Sequence, residues 1–63
     1  MNRSLVDIIR DHNSKWRKFL ILNEYNYLIL KKELGMEEYE ELFEFKNLTI
    51  CICKNDKLGL ILV

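Results

Sequence analysis

Residues 18–35 read KFLILNEYNYLILKKELG and contain the two elements that decide the fold. Residues 19–22 are a short, wholly apolar run, which is typical of a strand covered on both faces at the centre of a sheet. Asn23 has the kind of side chain that caps the first turn of a helix. Two lysines suit the last turn of that helix, and Gly35 suits a left-handed cap after it. The stretch therefore predicts a central strand that leads directly into a helix.

An earlier helix is indicated by Ser4, a typical N-cap residue, and by the helical spacing of the apolar residues after it. Its apolar side is predicted to hold Leu5, Ile8, Ile9, His12 and Trp16. We expect this helix to run from residue 5 to about residue 13, and an extension to residue 16 stays open. We favour a core position for Trp16, and we interpret His12 as a packed histidine rather than a metal ligand.

The second half of the chain is less regular. Residues 36–44 fit both a helical stripe and an alternating strand, and we favour a short helical turn that runs into an extended segment. Residues 48–53 alternate like a strand, a turn follows, and residues 58–63 return as a hairpin partner. The predicted fold class is α+β, a single domain over residues 1–63. Its order is α-β-α-(short helix or extended segment)-β-β, with two helices packed on a small sheet and a C-terminal β-hairpin.

The C-terminus is apolar up to its last residue, which predicts self-association. A chain of 63 residues buries only roughly 60% of the surface that it exposes when unfolded, so its own core is marginal. Leu60, Ile61, Leu62 and Val63 must be sheltered, either within the sheet or against another copy. A strand covered on both faces also needs a second layer, and one chain offers only two helices. We therefore expect a homo-oligomer and favour a dimer.

The charges are balanced overall but separated along the chain. Ten basic and ten acidic residues give a net charge of zero, yet residues 1–32 carry +4 (seven basic, three acidic) and residues 33–63 carry −4 (three basic, seven acidic). Solvated helix faces are one interpretation of this pattern. Our main hypothesis is a contact surface for a protein partner, with aromatic anchors inside an acidic segment. It comprises Glu37, Glu38, Tyr39, Glu40, Glu41 and Phe43.

A second hypothesis is that the chain is a nucleic-acid-associated regulator. Residues 15–18 interleave one aromatic with three cations, a pattern suited to phosphate contact and base stacking. The candidate contact residues are Arg10, Lys15, Trp16, Arg17 and Lys18. Trp16 also fits the helical apolar stripe, and a partner rich in negative charge would be repelled by the acidic segment unless that segment lies on another face.

No catalytic, metal or cofactor motif is present in the sequence. Cys51 and Cys53 lie two residues apart, which places both on one face of a strand and is unsuited to a mutual disulfide. Structural zinc sites need four ligands, and His12 is the only histidine. Glycine-rich phosphate loops and nucleophile motifs are missing, and the longest apolar runs are too short to span a bilayer. We predict a cytoplasmic, non-enzymatic protein that needs no cofactor and no membrane.

The composition is heavy in Lys, Asn, Ile and Glu. In this respect alone it resembles that of small phage or mobile-element proteins. The resemblance implies a protein that docks on a host or viral protein and modulates it. It assigns no role to any single residue.

Overall fold

The computed structural model describes residues 3–55, 57 and 59–63. Two helices and four strands follow one another along the chain. They are α1 (Leu5–His12), β1 (Phe19–Asn23), α2 (Glu24–Glu33), β2 (Glu44–Phe45), β3 (Leu48–Cys53) and β4 (Leu60–Leu62). The strands form one mixed sheet in the order β2-β3-β1-β4, with β1 parallel to β3 and antiparallel to β4. The predicted α+β class and the central position of the apolar strand are confirmed.

The caps of α2 form where the sequence predicts them. The side-chain oxygen of Asn23 accepts a hydrogen bond from the backbone N–H of Asn26 at 2.7 Å. At the other end, Gly35 adopts a left-handed conformation with φ of 74°. Its N–H and that of Met36 donate to the carbonyls of Lys32 and Lys31, the paired bonds of a Schellman motif. These caps hold the helix to ten residues.

The first helix is shorter than the pattern suggested. Ser4 caps its start as predicted, accepting a hydrogen bond from Asp7. It ends at His12 because Asn13 is extended, and the side-chain oxygen of Asn13 accepts from the N–H of Ser14 instead. The predicted extension to residue 16 is wrong. Trp16 lies beyond the helix and is 77% exposed, so its predicted core position is wrong as well.

The predicted C-terminal hairpin does not form, because β1 lies between β3 and β4. Residues 20–22 pair with β4 on one side, while the whole of β1 pairs with β3 on the other. The strand β1 has apolar side chains on both faces. Such a strand is typical of the interior of a sheet, where both of its edges are hydrogen-bonded. The sheet's hairpin is instead β2–β3, in which Phe45 faces Leu48 across a two-residue turn.

Both helices pack on one face of the sheet. The core there consists of Ile9 from α1, Leu30 from α2, Leu20 and Leu22 from β1, and Leu48 from β3, all of them fully buried. Residues paired across strands share a face, so Leu60 and Leu62 lie on this side too and pack against the core. The alternate positions point away from the helices.

The segment after α2 forms a turn rather than a helix. The N–H of Glu40 donates to the carbonyl of Glu37 at 3.1 Å, and the chain then runs on to β2. The predicted extended segment is present, and one hydrogen-bonded turn replaces the predicted short helix. Only part of the expected apolar face of α2 is buried, since Tyr25 is 69% and Leu28 50% exposed. These two side chains, together with those of the segment, enlarge the apolar surface of the molecule.

Candidate interaction surfaces

The first candidate surface is the sheet face that points away from the helices, here called the open sheet face. It consists of Phe19, Ile21, Cys51, Ile61 and Val63, with Thr49, Cys53 and the exposed Glu44 of β2 beside them. Both helices pack on the other side, and within the described part of the chain no second layer covers this one. One-sided sheets normally present polar side chains to water. This face is largely apolar and resembles the inner face of a two-layer structure.

The geometry of this face follows from the strand register. Ile21 has Cys51 beside it on β3 and Ile61 beside it on β4. Next to this row, Phe19 and Val63 exchange two backbone hydrogen bonds of 2.9 Å and lie side by side. Exposed fractions of 45% for Phe19, 38% for Ile61 and 52% for Val63 show how much of each side chain stays in contact with water. Together these side chains form a flat apolar patch.

The C-terminal residues predicted to drive self-association thus divide into two pairs. Leu60 and Leu62 pack against the chain's own core. Ile61 and Val63 belong to the open sheet face and remain available to another copy. Both thiols are free and half-buried on this face, as the two-residue spacing of Cys51 and Cys53 predicted.

The second candidate surface is the acidic segment, residues 37–43. Two side chains of α2 hold it in place. The hydroxyl of Tyr27 accepts from the N–H of Leu42 at 2.8 Å, and the ammonium of Lys31 donates to the carbonyl of Glu38 at 2.8 Å. Lys31 itself is 96% shielded from water and lies over the ring of Tyr27. The segment is therefore fixed on the body of the protein rather than hanging free.

The predicted aromatic anchors of the acidic segment are strongly exposed. Tyr39 is 84% and Phe43 is 71% exposed. They border a groove of about 630 Å³ whose floor includes Leu28 and Ile52. The surrounding glutamates Glu37, Glu38, Glu40 and Glu41 are all exposed. The residues that the sequence singled out thus share one surface, with apolar groups at its centre and negative charge around them.

The third candidate surface is a cleft between the end of α1, the start of β1 and the β2–β3 turn, here called the basic cleft. Its volume is about 530 Å³. It is lined by Arg10, Asn13, Ser14, Lys15, Arg17, Lys18, Lys46 and Asn47. Four of the five cations were candidates from the sequence. Lys46 was missed, because it lies about thirty residues further along the chain and only the fold brings it alongside.

The elements around the basic cleft explain its shape. Ser14 and Arg17 close a turn by a backbone hydrogen bond of 3.1 Å, so Lys15 and Trp16 project from its tip. The guanidinium of Arg17 donates to the carbonyl of Leu62 at 3.0 Å, which ties the turn to β4. On the opposite wall, the side-chain amide of Asn13 reaches the carbonyl of Lys46.

Among the residues that the structure describes, no three His, Cys, Asp or Glu side chains are grouped as a metal site would require. The Nδ1 atom of His12 is 2.9 Å from the carbonyl of Ile8, one turn back on its own helix. Neither described helix is long and apolar enough to cross a membrane.

Comparison with protein-family models, with curated proteins and with solved structures finds no match for this chain.

Proposed function

We propose that this chain is a non-enzymatic interaction protein that forms a dimer through its open sheet face and binds a further protein at its acidic segment. The observation that carries the proposal is the apolar character of a sheet face without a second layer. The acidic segment lies at the end of α2 and on the helix side of the sheet, so it stays free in such a dimer. The role suggested by the composition, modulation of a host or viral protein, would fall to that segment.

A single copy buries few side chains completely, which favours self-association on energetic grounds. Five side chains are fully buried among the described residues, and a domain of this size gains little stability from one core. Fully burying an aliphatic or aromatic side chain is worth about 1.5–3 kcal/mol. The exposed fractions of Phe19, Ile61 and Val63 lie between 38% and 52%. Complete burial of each side chain would therefore contribute about 1 kcal/mol of further stabilisation. In a symmetric dimer every such gain occurs twice.

A second copy is the occupant that fits this face best. The patch is apolar at its centre and carries the charge of Glu44 only at its β2 edge, so two copies can stack face to face as sheets do in a sandwich. The three strands that carry its apolar side chains, β1, β3 and β4, contain 14 residues, and at about 4.8 Å between strands and about 3.3 Å per residue they cover on the order of 200 Å². That is less than the roughly 800 Å² that each partner buries in a standard stable complex. We therefore expect a dimer that dissociates at micromolar concentration rather than a permanent one.

The acidic segment suits a partner of opposite charge. Its exposed aromatic side chains offer anchors, and the glutamates around them favour lysine or arginine at the edge of the contact. Reversal of Glu37, Glu38, Glu40 and Glu41 to lysine is expected to abolish partner binding and leave the fold intact. Among the described residues none of the four carboxylates pairs with a cation, and the hydrogen bond of 3.0 Å that Glu40 accepts from the N–H of Glu37 is exposed to water. If the affinity of this variant for the protein partner is unchanged across salt concentrations, the acidic segment is not the binding surface.

Sedimentation velocity at increasing protein concentration tests self-association. The expected result is a shift from one 7.7 kDa chain to twice that mass. Substitution Ile61→Lys places two charges in the proposed interface. Loss of the aliphatic contacts alone, about 2 kcal/mol over two copies, raises the dissociation constant about 30-fold, and the buried charges raise it further.

Tyr25→Lys is the matched control, since Tyr25 is an exposed aromatic residue on α2, outside the open sheet face. It should dimerise like the unmodified protein. A single mass of 7.7 kDa at every concentration refutes self-association. A dimer that Ile61→Lys leaves untouched shows that the interface lies elsewhere.

A further inference from the structure

The basic cleft gathers positive charge that the rest of the molecule does not neutralise. Among the described residues, Lys15, Lys18 and Lys46 take part in no ion pair. Arg10 is the exception, as its guanidinium lies 3.0 Å from Asp7 on the same helix. In the part of the chain that the structure describes, no acidic residue lines the cleft. Cations gathered around one cleft repel one another, and an anionic ligand would relieve that repulsion.

The acidic segment lies away from this charge. The carboxylate of Glu33, at the end of α2, accepts hydrogen bonds from the first turn of α1, so the acidic segment after α2 begins near that end of α1. The basic cleft lies at the other end of α1, and eight helical residues span about 12 Å. The charge separation along the sequence thus becomes a separation in space. An anion in the cleft is not repelled at close range by residues 37–41.

Trp16 does not line the cleft, but its exposed ring lies next to it in the chain. It lies between two residues that line the cleft, at the tip of the turn, and is 77% exposed. The ammonium of Lys15 lies 5.2 Å from the centre of its ring and leaves most of the indole open to water. An exposed tryptophan contributes nothing to the core. Beside a row of cations it can stack on a nucleobase, an interaction worth about 1–3 kcal/mol.

The backbone conformation of Lys46 is a further argument for an anion-binding site. Lys46 and Asn47 both have positive φ, 50° and 67°, as the two-residue turn between β2 and β3 requires. Asparagine and glycine tolerate this conformation, whereas for lysine it costs about 1–2 kcal/mol. Asn13 and Asn47 provide neutral hydrogen-bond donors next to it. A cation is thus held at this wall of the cleft at the expense of stability.

We infer that the basic cleft binds single-stranded nucleic acid, with phosphates against Lys15, Arg17, Lys18 and Lys46 and one base stacked on Trp16. Single strands fit better than duplexes because only an unpaired base can present its face to the indole. The cleft of about 530 Å³ has room for a short stretch of backbone rather than a long one. This inference is independent of the proposed dimer, whose interface involves other residues.

The tryptophan itself is the probe, since it is the only one in the chain. Titration with oligo(dT) and oligo(U) of about ten nucleotides, followed by intrinsic fluorescence, should quench the emission as a base stacks on the indole. Raising the salt from 50 to 200 mM should weaken binding about 20- to 50-fold, the loss expected for three or four phosphate contacts to a single strand. The two oligonucleotides also show whether the 2′-hydroxyl matters.

Charge reversal locates the site. The double variant Lys15→Glu with Lys46→Glu should bind a fluorescein-labelled oligonucleotide at least ten-fold more weakly by anisotropy. The control, Lys54→Glu with Lys57→Glu, has the same net charge but alters the β3–β4 connection at the opposite end of the sheet, and it should bind within two-fold of the unmodified protein. Circular dichroism confirms that both variants fold.

Three outcomes would overturn the inference. Equal loss in the two double variants shows that net charge, and not the cleft, governs binding. If the oligonucleotide binds without quenching the fluorescence of Trp16, no base is stacked on the indole. Equal affinity for anionic lipid vesicles, measured by flotation, shows a general response to negative surfaces rather than recognition of a nucleic acid strand.

Discussion

Glu33 joins the two helices in a way that can be tested quantitatively. Its two carboxylate oxygens accept hydrogen bonds from the backbone N–H groups of Leu5 and Val6, both at 2.9 Å. These N–H groups belong to the first turn of α1, where a helix has no partners of its own and its dipole favours negative charge. One side chain on α2 thereby caps α1 and fixes the angle between the helices.

Substitution Glu33→Ala removes both hydrogen bonds. Charge-assisted bonds contribute about 1.5–3 kcal/mol each when shielded, but Glu33 is exposed, so we expect a loss of about 1–2 kcal/mol in total. With about 2.1 cal/mol/K of unfolding entropy per residue, each kcal/mol lowers the midpoint of a chain this small by about 8 °C. The expected shift in thermal circular dichroism is a decrease of about 8–15 °C. Alanine is the better helix former, so its propensity acts against this loss.

Two further variants complete this test. Glu33→Gln keeps one accepting oxygen and should lose about half as much. Glu41→Ala removes an exposed carboxylate for which the structure shows no hydrogen bond among the described residues, and it should melt within about 2 °C of the unmodified protein. If Glu33→Ala melts together with Glu41→Ala, the capping argument is refuted.

Three other substitutions test the remaining contacts. Tyr27→Phe leaves the N–H of Leu42 without its acceptor, which should cost about 1–2 kcal/mol and speed cleavage of the acidic segment by a glutamate-specific protease; an unchanged cleavage rate would contradict this. Lys46→Asn relieves the strain of the left-handed backbone and removes a contact between the ammonium and the ring of Phe45. The melting midpoint should rise by a few degrees, while oligonucleotide binding weakens. A lower midpoint would refute the strain argument. Leu22→Ala opens a cavity in the core and should lower the free energy of unfolding by about 2–5 kcal/mol. Much of the variant should then be unfolded at 25 °C, as measured by circular dichroism. A cooperative melt above 45 °C would contradict the argument that the core is small.

The elements that the sequence predicts best are those set by neighbouring residues. The apolar run of β1, the cap at Asn23 and the left-handed Gly35 are local features, and all three are found in the structure. The end of α1 at His12 lies one residue before the predicted end, and only the open alternative of an extension to Trp16, which followed from the apolar periodicity, is wrong. The asparagine followed by a serine was the local stop signal, and it determines the end of the helix rather than the apolar spacing.

Strand pairing could not be predicted because it depends on distant residues. Two strands joined by a short polar stretch suggest a hairpin, but the six residues between β3 and β4 are long enough to carry the chain past β1. The apolar run of β1 contained the better clue. A strand that needs neighbours on both edges takes the central place, and β4 must then add on its far side.

The candidate surfaces show the same division between local and distant information. Residues 15–18 and residues 37–43 were recognised from the local sequence, and the structure brings the three cations of the first set to one cleft and Glu38, Tyr39, Glu41 and Phe43 of the second to one groove. Lys46 joins the first set only through the β2–β3 turn. The open sheet face was foreseen only in part, since the sequence indicated Ile61 and Val63 but not that Phe19 and Ile21 would lie beside them.

The reactivity of Cys51 tests the proposed dimer most directly, because this thiol lies in the open sheet face itself. In a Cys53→Ser background, the rate of reaction with excess Ellman's reagent is measured from low to high micromolar protein, with Ile61→Lys in the same background as the control. Dimerisation through this face predicts a rate that falls several-fold as the protein concentration rises, and a constant rate in the Ile61→Lys control. A rate for Cys51 that does not change while sedimentation shows a dimer would contradict the account, because the copies would then meet through another surface.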